Sequence, residues 1–246
     1  VSSPQHLRLR ERPDVLFVHG YGLRTAAVVA AYPGVPIVSF VHRHAYLDVP
    51  DLFPRTPRVH PLISTWLYRR QQRFLEYSTH IFTPSERTAR ITRAMVPRIP
   101  VSVAITGVGS EFHAAAGTAR PAQPPIALYV GRRSPDKNFT RLISLAQSTP
   151  QWHWHAIGAP GPDDVAATQA GFTLRGHVRP QEVIAALSEA SVLLLPSEQE
   201  TQGLAALEAL TIGVPVVAPE GSAQAELLTP AQTGGTYAND ATDAEI

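Results

Sequence analysis

Leu193-Leu-Leu-Pro-Ser-Glu-Gln-Glu-Thr-Gln-Gly-Leu-Ala-Ala-Leu-Glu208-Ala-Leu-Thr-Ile-Gly-Val-Pro-Val-Val-Ala218 is the stretch on which the fold turns. Its opening apolar run predicts a strand over Val192–Leu195, continuous in the way of strands buried on both faces of a parallel sheet. A polar loop follows, holding Glu198 and Glu200, and a helix is predicted over Leu204–Ile212. Gly213 followed by Pro215 stops that helix, and a second short strand is predicted over Pro215–Val217. Strand, helix and strand in this order make a parallel crossover unit.

The same rhythm runs outward over the chain. Strands are predicted at Val15–His19, Ile37–Val41, Ile81–Thr83, Val101–Ile105, Ile126–Val130, Trp152–Ile157 and Phe172–Leu174. Helices are predicted at Thr25–Tyr32, Leu62–Ser78, Ser85–Met95, Phe139–Ser148 and Pro180–Ala190, with Ser85 as an N-cap and Pro180 at a first helical position. The fold class is therefore α/β, with parallel sheets covered by helices on both faces. One stretch interrupts the alternation. Residues 113–125, poor in apolar bulk and rich in proline, read as a linker. The division is then 1–112 for an N-terminal domain, 113–125 for the linker and 126–246 for a C-terminal domain.

Charge supports the split. The 246 residues carry 21 basic and 20 acidic groups, a formal net charge of +1. Residues 1–122 hold 15 Arg against 7 acids, whereas residues 123–246 hold 6 basic groups against 13 acids. The near-zero total is a basic half cancelling an acidic one. Among the basic residues 20 are Arg, and the remaining one is Lys137. With 44% hydrophobic and 17% charged residues the chain is globular. It has no cysteine, which excludes a disulfide scaffold, thiolate metal ligation and a Cys nucleophile, and fits the cytosol. No apolar run approaches the roughly 18 residues of a membrane span, and the start, Val1 to Asp14, lacks the apolar segment of a signal peptide. The first residue is not Met, and the chain is read as a fragment.

In open α/β sheets ligands bind beyond the carboxyl ends of the strands, so polar residues directly after strands are the candidates. The strand Ile126–Val130 runs into Gly131-Arg132-Arg133-Ser134-Pro135-Asp136-Lys137-Asn138 and then a helix. A glycine turn, cations and a helix N-terminus together suit an anion, phosphate above all. A solvated turn is the bland alternative. A composition that uses Arg almost throughout but keeps Lys here favours the phosphate reading, because a compact ammonium differs from a planar guanidinium. In the opening stretch, Glu200 and Glu208 are separated by seven residues, with the amides of Gly203 and Leu204 between them. Carboxylates suit the vicinal hydroxyls of a sugar or ribose, and the amides suit a phosphate. Ordinary helix-start acids are the plain alternative.

Taken together, Glu200, Gly203-Leu204 and Glu208-Ala-Leu-Thr-Ile-Gly-Val-Pro-Val-Val-Ala218 resemble the signature of retaining glycosyltransferases of family 4, the group 1 glycosyl transferases. Val130-Gly131-Arg132 and Lys137 resemble that family's diphosphate-binding turn. Further segments are similar: Ile157-Gly158, Arg175-Gly176-His177-Val178, Ala190 to Ser197, Pro13-Asp14-Val-Leu-Phe-Val-His19, Gly34 to His42, and Ile81-Phe-Thr-Pro-Ser85. The resemblance implies a GT-B fold, two Rossmann-like domains with parallel sheets facing across a cleft, truncated at both ends, with an incomplete acceptor-side N-terminal domain and a donor-binding C-terminal domain. It implies a metal-independent hexosyltransferase moving a sugar from a nucleoside-diphosphate sugar, UDP- or GDP-linked, to an acceptor hydroxyl with retention. Carried over by position, Arg132, Lys137, Gly203 and Leu204 bind the donor diphosphate. Glu208 binds the ribose, and Gly176, His177 and Val178 lie near the base. Glu200 and His42 are the catalytic residues contacting the sugar. No cofactor and no metal are expected.

Departures from the family pattern are Thr106-Gly107-Val108-Gly109 in place of Asn-Gly-Val-Asp, Asn138 in place of Gly, and Gln202 in place of Phe. The acceptor is expected to be a saccharide, a lipid-linked molecule or a small molecule. The segment Leu62 to Ser78 mixes Trp66, Phe74 and Tyr77 with Arg69, Arg70 and Arg73. A packed helix with a solvated Arg face is the plainer reading, and a peripheral contact at the inner membrane face of a cytoplasmic protein is the alternative. Nucleic acid is not expected, since no recognition module accompanies the charge. His42/His44 and His153/His155 are metal-pair spacings read as ordinary histidines. A catalytically silent nucleotide-sugar-binding subunit or fragment is the rival function. A glycoside hydrolase built on Glu200 and Glu208 is discounted, because the phosphate turn would have no purpose.

Overall fold

The computed structural model describes residues 11–20, 22–52, 56–229, 232–243 and 245–246. The reading of the chain ahead of residue 11 lies outside the described residues. The chain divides into two compact units, Val1–Ile105 and Thr106–Ile246.

In the first unit, β1 (Leu16–His19), β2 (Ile37–Phe40), β3 (His80–Thr83) and β4 (Val101–Val103) form a parallel sheet in the order β1-β2-β3-β4. Helices α1 (Leu23–Ala31), α2 (Val49–Leu52), α3 (His60–Leu75) and α4 (Glu86–Met95) make the connections. Ser85 caps α4, its hydroxyl accepting from the Thr88 N–H at 3.2 Å, which satisfies one of the orphan donors of a helix start. Two apolar clusters hold this unit: Leu16, Val18, Tyr32, Val35 and Ile37, and Val41, Leu75, Ile81, Met95 and Val96.

The second unit contains α5 (Ser110–Ala114), β5 (Ile126–Val130), α6 (Phe139–Ser148), β6 (His153–Ile157), α7 (Asp164–Gln169), β7 (Phe172–Arg175), α8 (Pro180–Glu189), β8 (Val192–Leu194), α9 (Leu204–Ile212), β9 (Val216–Pro219) and β10 (Gly234–Tyr237). Its sheet is parallel, with the order β10-β9-β8-β5-β6-β7. The chain builds outward from β5 to β7, then returns through α8 to β8 on the other side of β5. Because such crossovers are right-handed, α6 and α7 cover one face and α8 and α9 the other. The order reverses between β5 and β8. That is the topological switch point, where an open sheet leaves a crevice at its carboxyl edge.

Strand β10 and helices α2, α5 and α7 go beyond the sequence reading. Two of the four residues of β10 are glycines, which are depleted in strands, yet Gly234 must be glycine. Its φ is 148°, and a Cβ would sit 1.8 Å from the Val216 carbonyl oxygen on β9. The unit boundary also falls upstream of the 113–125 stretch read as a linker. That stretch is fixed to the second unit. The Gly117 and Ala119 N–H groups donate to Thr211 and Ile212, and those of Arg120 and Ala122 to Ser188 and Glu189. These carbonyls end α9 and α8, where the helix itself supplies no donor.

Candidate active site

The turn after β5 and the loop after β8 meet at the switch point. Between them lies a cavity of about 180 Å³, lined by Gly131, Lys137, Glu200, Gly203, Leu204 and Gln224 among others. Each wall has a local cause. Pro135–Lys137 forms a single 3-10 turn ahead of α6, and Asn138 follows in the left-handed conformation at φ 52°, ψ 35°. Asn tolerates that region better than other residues with a Cβ, which explains how it stands where the family segment has Gly. Gly203, the residue before α9, has φ 82°, and a Cβ there would lie 2.8 Å from Gln224 Cβ. The turn into α9 therefore requires glycine twice over, for its φ and for its neighbour.

Four sequence-predicted residues, Lys137, Glu200, Gly203 and Leu204, thus line one cavity. Lys137 Nζ donates to Glu200 Oε2 at 2.7 Å, and the two side chains are 20% and 27% exposed. The first N–H groups of α9 have no partner within the helix and supply partial positive charge. Arg132 is placed differently. It is exposed, and its Nη2 donates to Asp136 Oδ2 at 2.7 Å. Glu208 lies in the second turn of α9, outside the lining residues, half-buried. Burial first, and the Glu111 carboxylate second, push its pKa up to about 7. Gly176, His177 and Val178 occupy the loop between β7 and α8, at the carboxyl end of β7.

His42 belongs to the first unit, two residues after the end of β2. It is exposed and shares a 2.8 Å hydrogen bond between its Nε2 and His19 Nδ1. Partial burial, then the neighbouring His19, lower the His42 pKa, favouring the neutral imidazole.

Several residues of the site escaped sequence reasoning. Arg133 is 3% exposed, its Nε and Nη2 donate to Asp164 at 2.7 and 2.9 Å, and its Nη1 donates to the Gly158 and Arg175 carbonyls. It pins the turn to the ends of β6 and β7. The Tyr129 hydroxyl donates to the Arg132 carbonyl at 2.6 Å. Gln224 is buried, its Nε2 donates to the Ser197 carbonyl at 3.0 Å, and its Oε1 has no partner among the described residues. No local signal marks these, since each depends on partners remote in sequence. Gln202 and Thr106 form a further pair. Gln202 Nε2 donates to the Thr106 carbonyl at 2.8 Å, and the Thr106 hydroxyl donates to Gln202 Oε1. Among the described residues there is no group of three or more His, Cys, Asp or Glu placed to hold a metal ion.

Comparison with known proteins decides the family. The family described as Glycosyl transferases group 1 matches residues 113–245, and that described as Glycosyltransferase Family 4 matches residues 3–112. The chain belongs to the group 1, family 4 glycosyltransferases. This family 4 chain is 26% identical over 248 residues to the sulfoquinovosyl transferase SQD2 of Arabidopsis thaliana, covering 92% of the chain and 46% of the relative. It is 27% identical over 241 residues to a glycogen synthase of Mycobacterium tuberculosis, covering 91% and 56%. A GDP-mannose-dependent alpha-mannosyltransferase of Mycolicibacterium smegmatis is 34% identical over 114 residues, 45% of the chain and 29% of that protein. The family 4 chain therefore spans about half the length, or less, of these relatives.

Among solved structures, sucrose-phosphate synthase from Thermosynechococcus elongatus matches with a TM-score of 0.74 at 16% identity, covering 94% of this chain and 62% of that one. Anabaena HepE, solved with UDP and glucose, matches with a TM-score of 0.63 at 17% identity, covering 90% and 64%. These likenesses establish the GT-B fold.

Proposed function

We propose that the chain carries the donor site of a retaining glycosyltransferase that moves a sugar from a nucleoside-diphosphate sugar to an acceptor hydroxyl. The observation that carries this reading is the meeting of Lys137, Glu200 and the α9 N-terminus around one cavity at the switch point of the second sheet. In the reaction the anomeric C–O bond breaks and its electron pair leaves with the diphosphate oxygen. The acceptor oxygen forms the new bond, and its proton passes to the leaving diphosphate. Positive charge develops on the sugar and negative charge on the leaving group. Fixed cations and helix amides aimed at the diphosphate stabilise that state more than the ground state. Lys137 and Arg132 take this role, which a divalent metal fills in other glycosyltransferases, with Gly203 and Leu204 supplying amides. Glu200 contacts the sugar, Glu208 the ribose, and Gly176, His177 and Val178 lie near the base. His42 is retained as a catalytic sugar contact on the family resemblance.

Isothermal titration of the chain with UDP- and GDP-sugars tests this. Lys137→Ala is expected to weaken binding of the nucleoside-diphosphate sugar by about 1.5–3 kcal/mol, the worth of a charged hydrogen bond. Unchanged affinity would remove the phosphate assignment. Binding without diphosphate release from UDP- or GDP-sugars would favour a silent binding subunit.

A lipid-linked acceptor at an anionic membrane surface suits the first unit. Leu62, Trp66, Arg69 and Arg73 fall on one stripe of α3, with Leu62 73% and Trp66 58% exposed. The Arg70 guanidinium lies 5.3 Å from the Trp66 ring centre. Aromatic and aliphatic side chains among arginines are what an interfacial helix presents. Vesicles rich in phosphatidylglycerol are expected to co-sediment the chain, and Trp66→Ala to release it. Equal partition of the two proteins would remove the membrane contact.

A further inference from the structure

The lysine and the carboxylate of the cavity hold each other. Lys137 Nζ and Glu200 Oε2 are 2.7 Å apart, both side chains are mostly buried, and both line the same 180 Å³ space. An ammonium so placed is neutralised before any ligand arrives. A diphosphate entering this space meets the lysine and the competing carboxylate together. It must displace Glu200 from Lys137 or accept a like charge within a few ångströms, and either is costly away from bulk water.

What relieves that cost is a hydrogen-bond donor for the displaced carboxylate. An ionised carboxylate only accepts, and a sugar offers several hydroxyl donors. The Thr201 N–H, donating to Glu200 Oε1 at 3.3 Å, helps keep the carboxylate at the cavity. A bare nucleoside diphosphate has the phosphates but no sugar in this position.

We propose that Glu200 makes the site discriminate between a nucleoside diphosphate and its sugar ester, by holding Lys137 whenever no sugar hydroxyls engage its carboxylate. The inference rests on the donor-site reading above and adds a second task to Glu200. Before transfer, the sugar occupies Glu200 and frees Lys137 for the diphosphate. After transfer, the sugar has left with the acceptor, Glu200 recovers Lys137, and the product diphosphate is weakened in its hold. Selection of the donor and release of the product then come from one ion pair.

Titration calorimetry with UDP, GDP, UDP-glucose and GDP-mannose on the wild type, Glu200→Gln, Glu200→Ala and Glu198→Gln tests this. Glu198 is an exposed carboxylate of the same loop outside the cavity lining. Both Glu200 variants are expected to bind the bare diphosphate about fivefold more tightly, the worth of a partly exposed ion pair. Neither gains affinity for the sugar ester, so the preference for the ester falls. Tighter binding is a gain that a misfolded variant does not mimic. Glu198→Gln leaves both affinities unchanged. The proposal is overturned if neither Glu200 variant tightens diphosphate binding, or if Glu198→Gln tightens it equally. A wild type that binds none of the four probes overturns the donor-site reading itself, and with it this one.

Discussion

Two ion pairs hang from the turn after β5, and both close at 2.7 Å. Arg133 spends its fork on Asp164 and its remaining Nη1 donors on two carbonyls, and is 3% exposed. Lys137 meets one carboxylate at the wall of a cavity. Distance does not separate them; saturation does. A guanidinium whose donors are met by the protein serves the architecture, here tying the turn to the ends of β6 and β7. An ammonium that meets one carboxylate at the wall of a cavity can exchange that partner for a ligand. Arg132, exposed and joined to Asp136, stands between the two.

The largest expected effect breaks the saturated pair. Arg133→Ala leaves Asp164 without its main partner and strips a donor from the Gly158 and Arg175 carbonyls, at a cost of about 3 kcal/mol. Lys137→Ala on the same urea unfolding curve is expected to cost no more than about 1 kcal/mol. Similar losses for the two variants would erase the distinction between them.

The contrast also shows where sequence reading reaches its limit. The alternation of strands and helices is legible because parallel strands buried on both faces read as short apolar runs, Val-Leu-Phe-Val and Val-Leu-Leu-Leu among them. Lys137, Glu200, Gly203 and Leu204 are legible because each lies in the turn or loop that joins a strand to the next helix, or opens that helix. Strand β10 is not, since it is selected by close approach to β9 and has two glycines where β-forming residues are expected. Arg133 looks like its neighbour Arg132 in sequence. Only Asp164, brought in by α7, tells the buried arginine from the exposed one. Glu208 is legible as a carboxylate on α9, but not its proton affinity, which depends on burial and on Glu111 from α5.

Glu208 supplies the opposite arrangement, a half-buried carboxylate whose charged neighbour, Glu111, has the same sign. Its folded pKa, raised to about 7, exceeds the ordinary Glu value of 4.5, so the folded chain holds an extra proton between those two values. Stability is therefore expected to fall as pH rises across that window, because the unfolded chain has already ionised there. Affinity for a ribose-bearing nucleotide is expected to run the other way. In the proposed ribose role the ionised group accepts two hydroxyl donors better than the protonated one, so binding of UDP or GDP is expected to strengthen as pH passes 7. Glu208→Gln is expected to flatten this group's contribution to both curves, in parallel unfolding and calorimetric series from pH 5 to 8. A nucleotide affinity whose pH dependence survives the substitution would detach Glu208 from the ribose.

The smallest effect concerns a neutral pair, and it asks whether saturation matters without charge. Thr106 and Gln202 stand where the family segments have Asn and Phe, and taken singly each looks like drift. The structure joins them: Gln202 Nε2 donates to the Thr106 carbonyl, the Thr106 hydroxyl donates to Gln202 Oε1, and Gln202 is 9% exposed. Gln202 precedes Gly203, so this pairing fixes the approach to the α9 N-terminus. A buried amide satisfied at both ends is a coupled unit, and replacing one member strands the other. A double-mutant cycle with Thr106→Val and Gln202→Leu is expected to give a coupling of about 1 kcal/mol in urea unfolding. Additive losses would mean that the two positions depart from the family pattern independently. Coupling would make them one exchange of a packed contact for a hydrogen-bonded one, at the entrance to the helix that carries Glu208.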